Sequence, residues 1–96
     1  MTQILSRPVI LHVEDNPSNR KVVQHILRGV DVTLLETTDG ERGLAMAKES
    51  LPSLILLDMH LPGASGYEVV AQLKADSRTQ DIPVIALTSD AMTPDE

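Results

Sequence analysis

Leu54-Ile55-Leu56-Leu57-Asp58-Met59-His60-Leu61-Pro62-Gly63 is the stretch whose reading decides the fold. Four consecutive apolar residues run into one carboxylate, and a Pro-Gly pair follows almost at once. A short, unbroken apolar run predicts a strand buried on both faces, as in a parallel sheet. Pro62 and Gly63 stop that strand and turn the chain away. Asp58 is thereby placed at the carboxyl end of a central strand, where open α/β sheets bind their ligands. The plainer alternative is a polar residue that merely ends the strand and shapes the turn.

Upstream, Pro8-Val9-Ile10-Leu11-His12-Val13 is almost continuously apolar and ends at Glu14-Asp15, which predicts a first strand. His12 interrupts it, and a hydrogen-bonded core histidine is the expected reading rather than a ligand. Asn16-Pro17 opens a helix, since asparagine favours the N-cap and proline the first helical position. Val22, Val23, Ile26 and Leu27 recur at helical spacing, with Gly29 as the expected C-cap and His25 on the surface. Asp31 to Glu36, with Val32-Thr33-Leu34-Leu35 at its centre, predicts a second strand. A second helix from about Glu41 to Ser50 should turn Leu44, Ala45, Ala47 and Leu51 inward.

Downstream, Ser65-Gly66-Tyr67-Glu68 has the spacing of a capping box, so a third helix should start at Ser65 with Val69, Val70 and Leu73 facing the sheet. Ile82 to Thr88 predicts a fourth strand, with Pro83 tolerable near its start. Ser89-Asp90-Ala91-Met92 looks like the opening of one more helix. Alternation of this kind builds a doubly wound parallel sheet with right-handed crossovers and helices on both faces. Residues 1–96 are expected to form one α/β domain, without internal repeat or linker.

Of the 96 residues, 42% are apolar and 23% charged, which predicts a folded globule. With no Phe or Trp and only Tyr67, the core must come from aliphatic residues and methionine. The net charge of −6 argues against direct nucleic-acid binding, because no basic patch exists to neutralise phosphates. Without cysteine, disulfide and thiolate-metal chemistry are excluded. No apolar run approaches the roughly 18 residues of a membrane helix, and Met1 to Arg7 lack the pattern of a signal peptide. A cytoplasmic address is the default expectation.

Parallel strands place their carboxyl ends on one edge. Strand one brings Glu14 and Asp15 there, strand three Asp58, and strand four Thr88 and Ser89. Three carboxylates gathered at one edge repel one another unless a cation joins them. Oxygen ligands without a His or Cys requirement suit Mg2+. His60 is close in sequence, and its backbone carbonyl, not its side chain, is the expected contributor. A pair of solvated charges is the bland alternative for Glu14-Asp15.

These spaced motifs resemble the receiver domain of two-component response regulators, a CheY-like fold. The resemblance rests on Glu14-Asp15-Asn16, on Leu57-Asp58-Met59-His60-Leu61-Pro62-Gly63, on Gly66, and on Ala86-Leu87-Thr88-Ser89, and it spans about Pro8 to Met92. The Asn16-Pro17-Ser18-Asn19-Arg20 segment and Ala91-Met92 are similar to receivers attached to hybrid sensor kinases and to some stand-alone receivers. The resemblance implies two-component phosphorelay signalling. Asp58 would accept a phosphoryl group from a phosphohistidine on a histidine kinase or phosphotransfer protein. Asp15, Asp58 and the backbone of His60 would hold Mg2+ directly, with Glu14 acting mainly through water. Thr88 would donate its hydroxyl to the arriving phosphoryl group and bias the following loop. His60 and Asp90 would flank the path of hydrolytic water and tune the lifetime of the phosphoryl group. Such a domain assists its own phosphorylation and dephosphorylation without being a turnover enzyme.

The family pattern continues with a fifth strand, a fifth helix and a phosphoryl-pairing lysine, and the sequence through Glu96 stops before them. Lys21, Lys48 and Lys74 do not fall at strand carboxyl ends. The expectations are stronger metal dependence and an uncovered fourth strand open to dimerisation or swapping. Two other functions stand beside the leading one. One is an interaction module that signals without phosphorylation. The other is an aspartyl phosphatase, disfavoured because His60 holds the place of its second acid.

Overall fold

The computed structural model describes residues 7–61 and 65–87. Strands and helices alternate throughout: β1 (Val9–Val13), α1 (Pro17–Ile26), β2 (Thr33–Thr37), α2 (Gly40–Ser50), β3 (Leu54–Asp58), α3 (Gly66–Ala75) and β4 (Val84–Leu87). Every strand pairing is parallel and the order is β2-β1-β3-β4, the 2-1-3-4 order that the resemblance to a CheY-like fold implies. The Pro62-Gly63 turn, Thr88, and the helix expected from Ser89 lie outside the described residues.

The helix starts follow their caps. Asn16 Oδ1 accepts the amides of Ser18 (2.8 Å) and Asn19 (3.4 Å), and Pro17 fills the first helical position of α1. Asp39 caps α2 in the same way, taking the amides of Glu41 and Arg42. The predicted capping box is formed at α3: Glu68 N–H donates to Ser65 Oγ at 3.3 Å, and Ser65 N–H donates to Glu68 Oε1 at 3.1 Å. Helix ends are less regular. α1 is capped by Leu27, with Gly29 in the left-handed region (φ 83°) two residues later. α2 ends on Leu51, a leucine with left-handed backbone (φ 47°, ψ 63°).

Register sorts the strand residues into two faces. Leu11, Val13, Leu35, Ile55, Leu57 and Val84 pack with Ala47 of α2 and with Val69 and Leu73 of α3, forming the hydrophobic core. Two residues expected to point inward from α2 do not. Ala45 is exposed, and Leu51 is 53% exposed because its left-handed backbone carries it off the helical stripe; Gly43 and Met46 lie on the inner side instead. Gly66 permits the close seating of α3, since a Cβ there would stand 2.6 Å from Met59 Cα. The connection to β4 is closed by Thr79, whose buried hydroxyl donates to Leu73 O at 2.7 Å.

On the opposite face His12, Leu56 and Ile85 share a row, with Asp58 and Leu87 one step further along. Only α1 among the described helices covers this side, and it contains no buried residue. The apolar stripe predicted for α1 is therefore only half used: Val22 is 55% and Ile26 65% exposed, while Val23 and Leu27 are half-buried. β4 is the sheet edge among the described residues, and Ile85 on it is 48% exposed.

Candidate functional site

Glu14 immediately follows β1, and its amide extends the ladder by donating to Thr37 O at 2.9 Å. Asp58 is the last residue of β3, and the next amide, that of Met59, donates to Leu87 O at 3.1 Å. The sheet thus fixes both strand ends before any side chain acts. One carboxylate oxygen each from Glu14, Asp15 and Asp58 lies within 4.8 Å of the others. The three acids singled out in the sequence converge, forming an oxygen-only donor set of the kind hard divalent cations accept.

Their surroundings differ. Glu14 is 3% exposed, and its Oε2 accepts Asn16 N–H at 3.2 Å and Asn19 Nδ2–H at 3.3 Å. Burial pushes the Glu14 carboxyl above the usual carboxylate range, and the charge of Asp58 adds to the rise; the two hydrogen bonds hold it back. Asp15 is exposed and Asp58 half-buried. Asp58 Oδ1 accepts His60 N–H at 3.0 Å, so the main chain of His60 is tied to the acceptor carboxylate while its side chain is exposed. Thr88, the remaining predicted site residue, is outside the described residues.

A cleft of about 640 Å³ runs from these acids beneath α1, with Val22, Val23, Ile26 and Leu87 among its apolar lining. His12 also lines it and is fully buried, as the sequence led one to expect. The expected hydrogen bond is absent, however, because neither ring nitrogen has a partner. Glu14 Oε1 is the nearby acid, 4.0 Å from Nε2 and beyond hydrogen-bond reach. Burial lowers the imidazole pKa; Glu36 and Asp58 pull it upward and Arg20 downward.

Two further residues bear on the site, and the sequence pattern assigns them no role. Asn19 holds the Glu14 carboxylate, and Arg20 Nη1 donates to the Glu14 carbonyl at 3.0 Å. A signal exists in the spacing: three and four residues past an N-cap, both look back over the end of the preceding strand.

Solved structures share this fold. The receiver domain of a sensor histidine kinase from Pseudomonas aeruginosa PAO1, crystallised with magnesium coordinated in its active site cleft, superposes with a TM-score of 0.84 at 32% identity, covering 94% of this chain and 74% of that one. The phosphorylated cyanobacterial phytochrome response regulator RcpA gives 0.77 at 33% identity over 88% of this chain and 66% of its own. In sequence, the polar-differentiation response regulator DivK of Brucella anthropi is 40% identical over 87 residues, which is 91% of this chain and 71% of DivK. The family model for the response regulator receiver domain matches residues 10–96. The chain belongs to that family, and its setting is two-component signalling.

Proposed function

We propose that this domain accepts a phosphoryl group on Asp58, with Mg2+ held at the acid edge, from a phosphohistidine on a histidine kinase or phosphotransfer protein. The observation that carries the proposal is the convergence of Glu14, Asp15 and Asp58 oxygens within 4.8 Å. The magnesium and the phosphorylation described for two of its structural relatives support it.

An oxygen-only set of carboxylates fits a hard cation, and Asp15, Asp58, the backbone of His60 and, through water, Glu14 would hold it. Bound there, the ion would supply positive charge for the oxygens of the phosphoryl group. The chain's own part is positional, because phosphoryl transfer needs alignment more than covalent machinery. β3 presents Asp58 at the mouth of the cleft, and the His60 amide fixes its rotamer through Oδ1. An oxygen of the ionised carboxylate forms the new bond to phosphorus. The phosphorus–nitrogen bond of the donor breaks, and its electron pair stays on the departing imidazole. Thr88, the residue that follows Leu87 in the sequence, would then donate its hydroxyl to a phosphoryl oxygen. The domain in this reading is a phosphoacceptor rather than a turnover enzyme, and it works in the cytoplasm.

Incubation with a small acyl phosphate and Mg2+ tests the proposal. The parent chain should label stoichiometrically, and Asp58→Asn should not label. Equal labelling of both would refute the assignment.

A further inference from the structure

The Glu14 carboxylate is held from α1, not from its own strand. Its Oε2 takes two donors, the amide of Asn16 at 3.2 Å and Nδ2 of Asn19 at 3.3 Å. Only the second is a side chain. We propose that Asn19 is a positioning residue for the acid site: it fixes the Glu14 carboxylate in the orientation from which Glu14 supports a divalent cation. This inference rests on the Mg2+-dependent reading above.

Three observations point to orientation as its task. First, the main chain of Glu14 is secured independently, its N–H by Thr37 O at 2.9 Å and its carbonyl by Arg20 Nη1 at 3.0 Å. Removing the Asn19 amide therefore takes away one of the two anchors of the carboxylate and leaves the backbone in place. Second, the fully buried neighbour that could have served instead does not, because His12 Nε2 stands 4.0 Å from Oε1 and makes no hydrogen bond. Third, Asn19 does little else on the sheet side. α1 buries none of its residues, so the asparagine is not there to pack a core.

The physical effect is preorganisation. A glutamate side chain has several rotatable bonds, and ordering it only when the ion arrives would weaken binding. Groups that orient the ligands of a metal commonly change its affinity by about 10- to 100-fold. Glu14 is one acid of three and acts through water in this reading, so the lower figure applies.

Calorimetric Mg2+ titration of the full chain, with chemical denaturation of the metal-free protein alongside, tests the role. Asn19→Leu, similar in size but without a donor, should weaken Mg2+ binding by about tenfold and leave the metal-free chain folded. The Mg2+ needed for half-maximal labelling of Asp58 should rise by the same factor, with the final extent of labelling unaltered. Asn19→Gln, which keeps an amide on a longer stem, should recover most of the affinity. Parent-like Mg2+ affinity in Asn19→Leu overturns the inference while leaving the phosphoacceptor reading intact. So does a parallel loss of affinity and metal-free stability in both variants, which marks a merely structural role. A parent chain that binds no Mg2+ overturns both.

Discussion

The two faces of the sheet are built to different standards. On one, Leu11, Val13, Ile55 and Leu57 are each 1% exposed or less and interlock with α2 and α3. On the other, α1 buries nothing, Val22 and Ile26 stand largely in solvent, and the buried polar group His12 goes unpaired. Both faces carry the same aliphatic residue types, so composition does not separate them. What separates them, among the described residues, is the number of helices on each side. The difference teaches that stability resides on the α2/α3 side, while the acids and their supporting polar contacts belong to the α1 side.

The largest test of this contrast is a pair of neighbouring leucines on opposite faces. Leu57→Ala should lower the unfolding free energy by about 3 kcal/mol, and Leu56→Ala by less than about 2 kcal/mol, in matched denaturant titrations. Equal losses would break the comparison. Next comes Gly66→Ala, which drives a Cβ to 2.6 Å from Met59 Cα and 3.0 Å from Asp58 O. The overpacking should cost about 2 kcal/mol, and the backbone shift at Asp58 should also weaken Mg2+ binding in a titration.

His12→Leu acts in the other direction. Replacing an unpaired buried imidazole with an apolar side chain should add about 1 kcal/mol at pH 7. The sign of its pH effect follows from the lowered pKa. Well above the ordinary histidine value of 6.5, the ring is neutral in both folded and unfolded chains and contributes nothing to the slope. As pH falls below that value, the unfolded chain takes up a proton that the folded chain resists, so stability falls. Unfolding curves between pH 7 and 5 should show this loss in the parent and a shallower one in His12→Leu. The smallest change is expected for Ile26→Ala, within about 0.5 kcal/mol; a core-sized loss there would mean that α1 is better seated than its exposure indicates.

Much of this was legible from residue order. Short apolar runs ending in acids predict parallel strands, and their shared edge predicts the meeting of Glu14, Asp15 and Asp58, because chain direction alone decides where strand ends fall. Caps at Asn16 and Ser65 were readable for the same local reason. The inner side of α2 was less so, since an irregular helix end redirects Leu51 in a way that spacing does not encode. The seating of α1 was hidden too: the Val22-Val23-Ile26-Leu27 stripe specifies a helix with an apolar side but not how much of that side finds a partner. The role of Asn19 and Arg20 depends on a helix folding back over a strand end, a relation between two elements that neither states by itself.

Leu51 has a bearing on how this molecule spends its marginal stability. A branched side chain at φ 47° sits where glycine would rest without strain, at a cost of about 1 kcal/mol or more. That tension is lodged three residues before β3, at the end of the strand opposite to Asp58. Relieving it would return stability able to offset an unfavourable change at the acid edge.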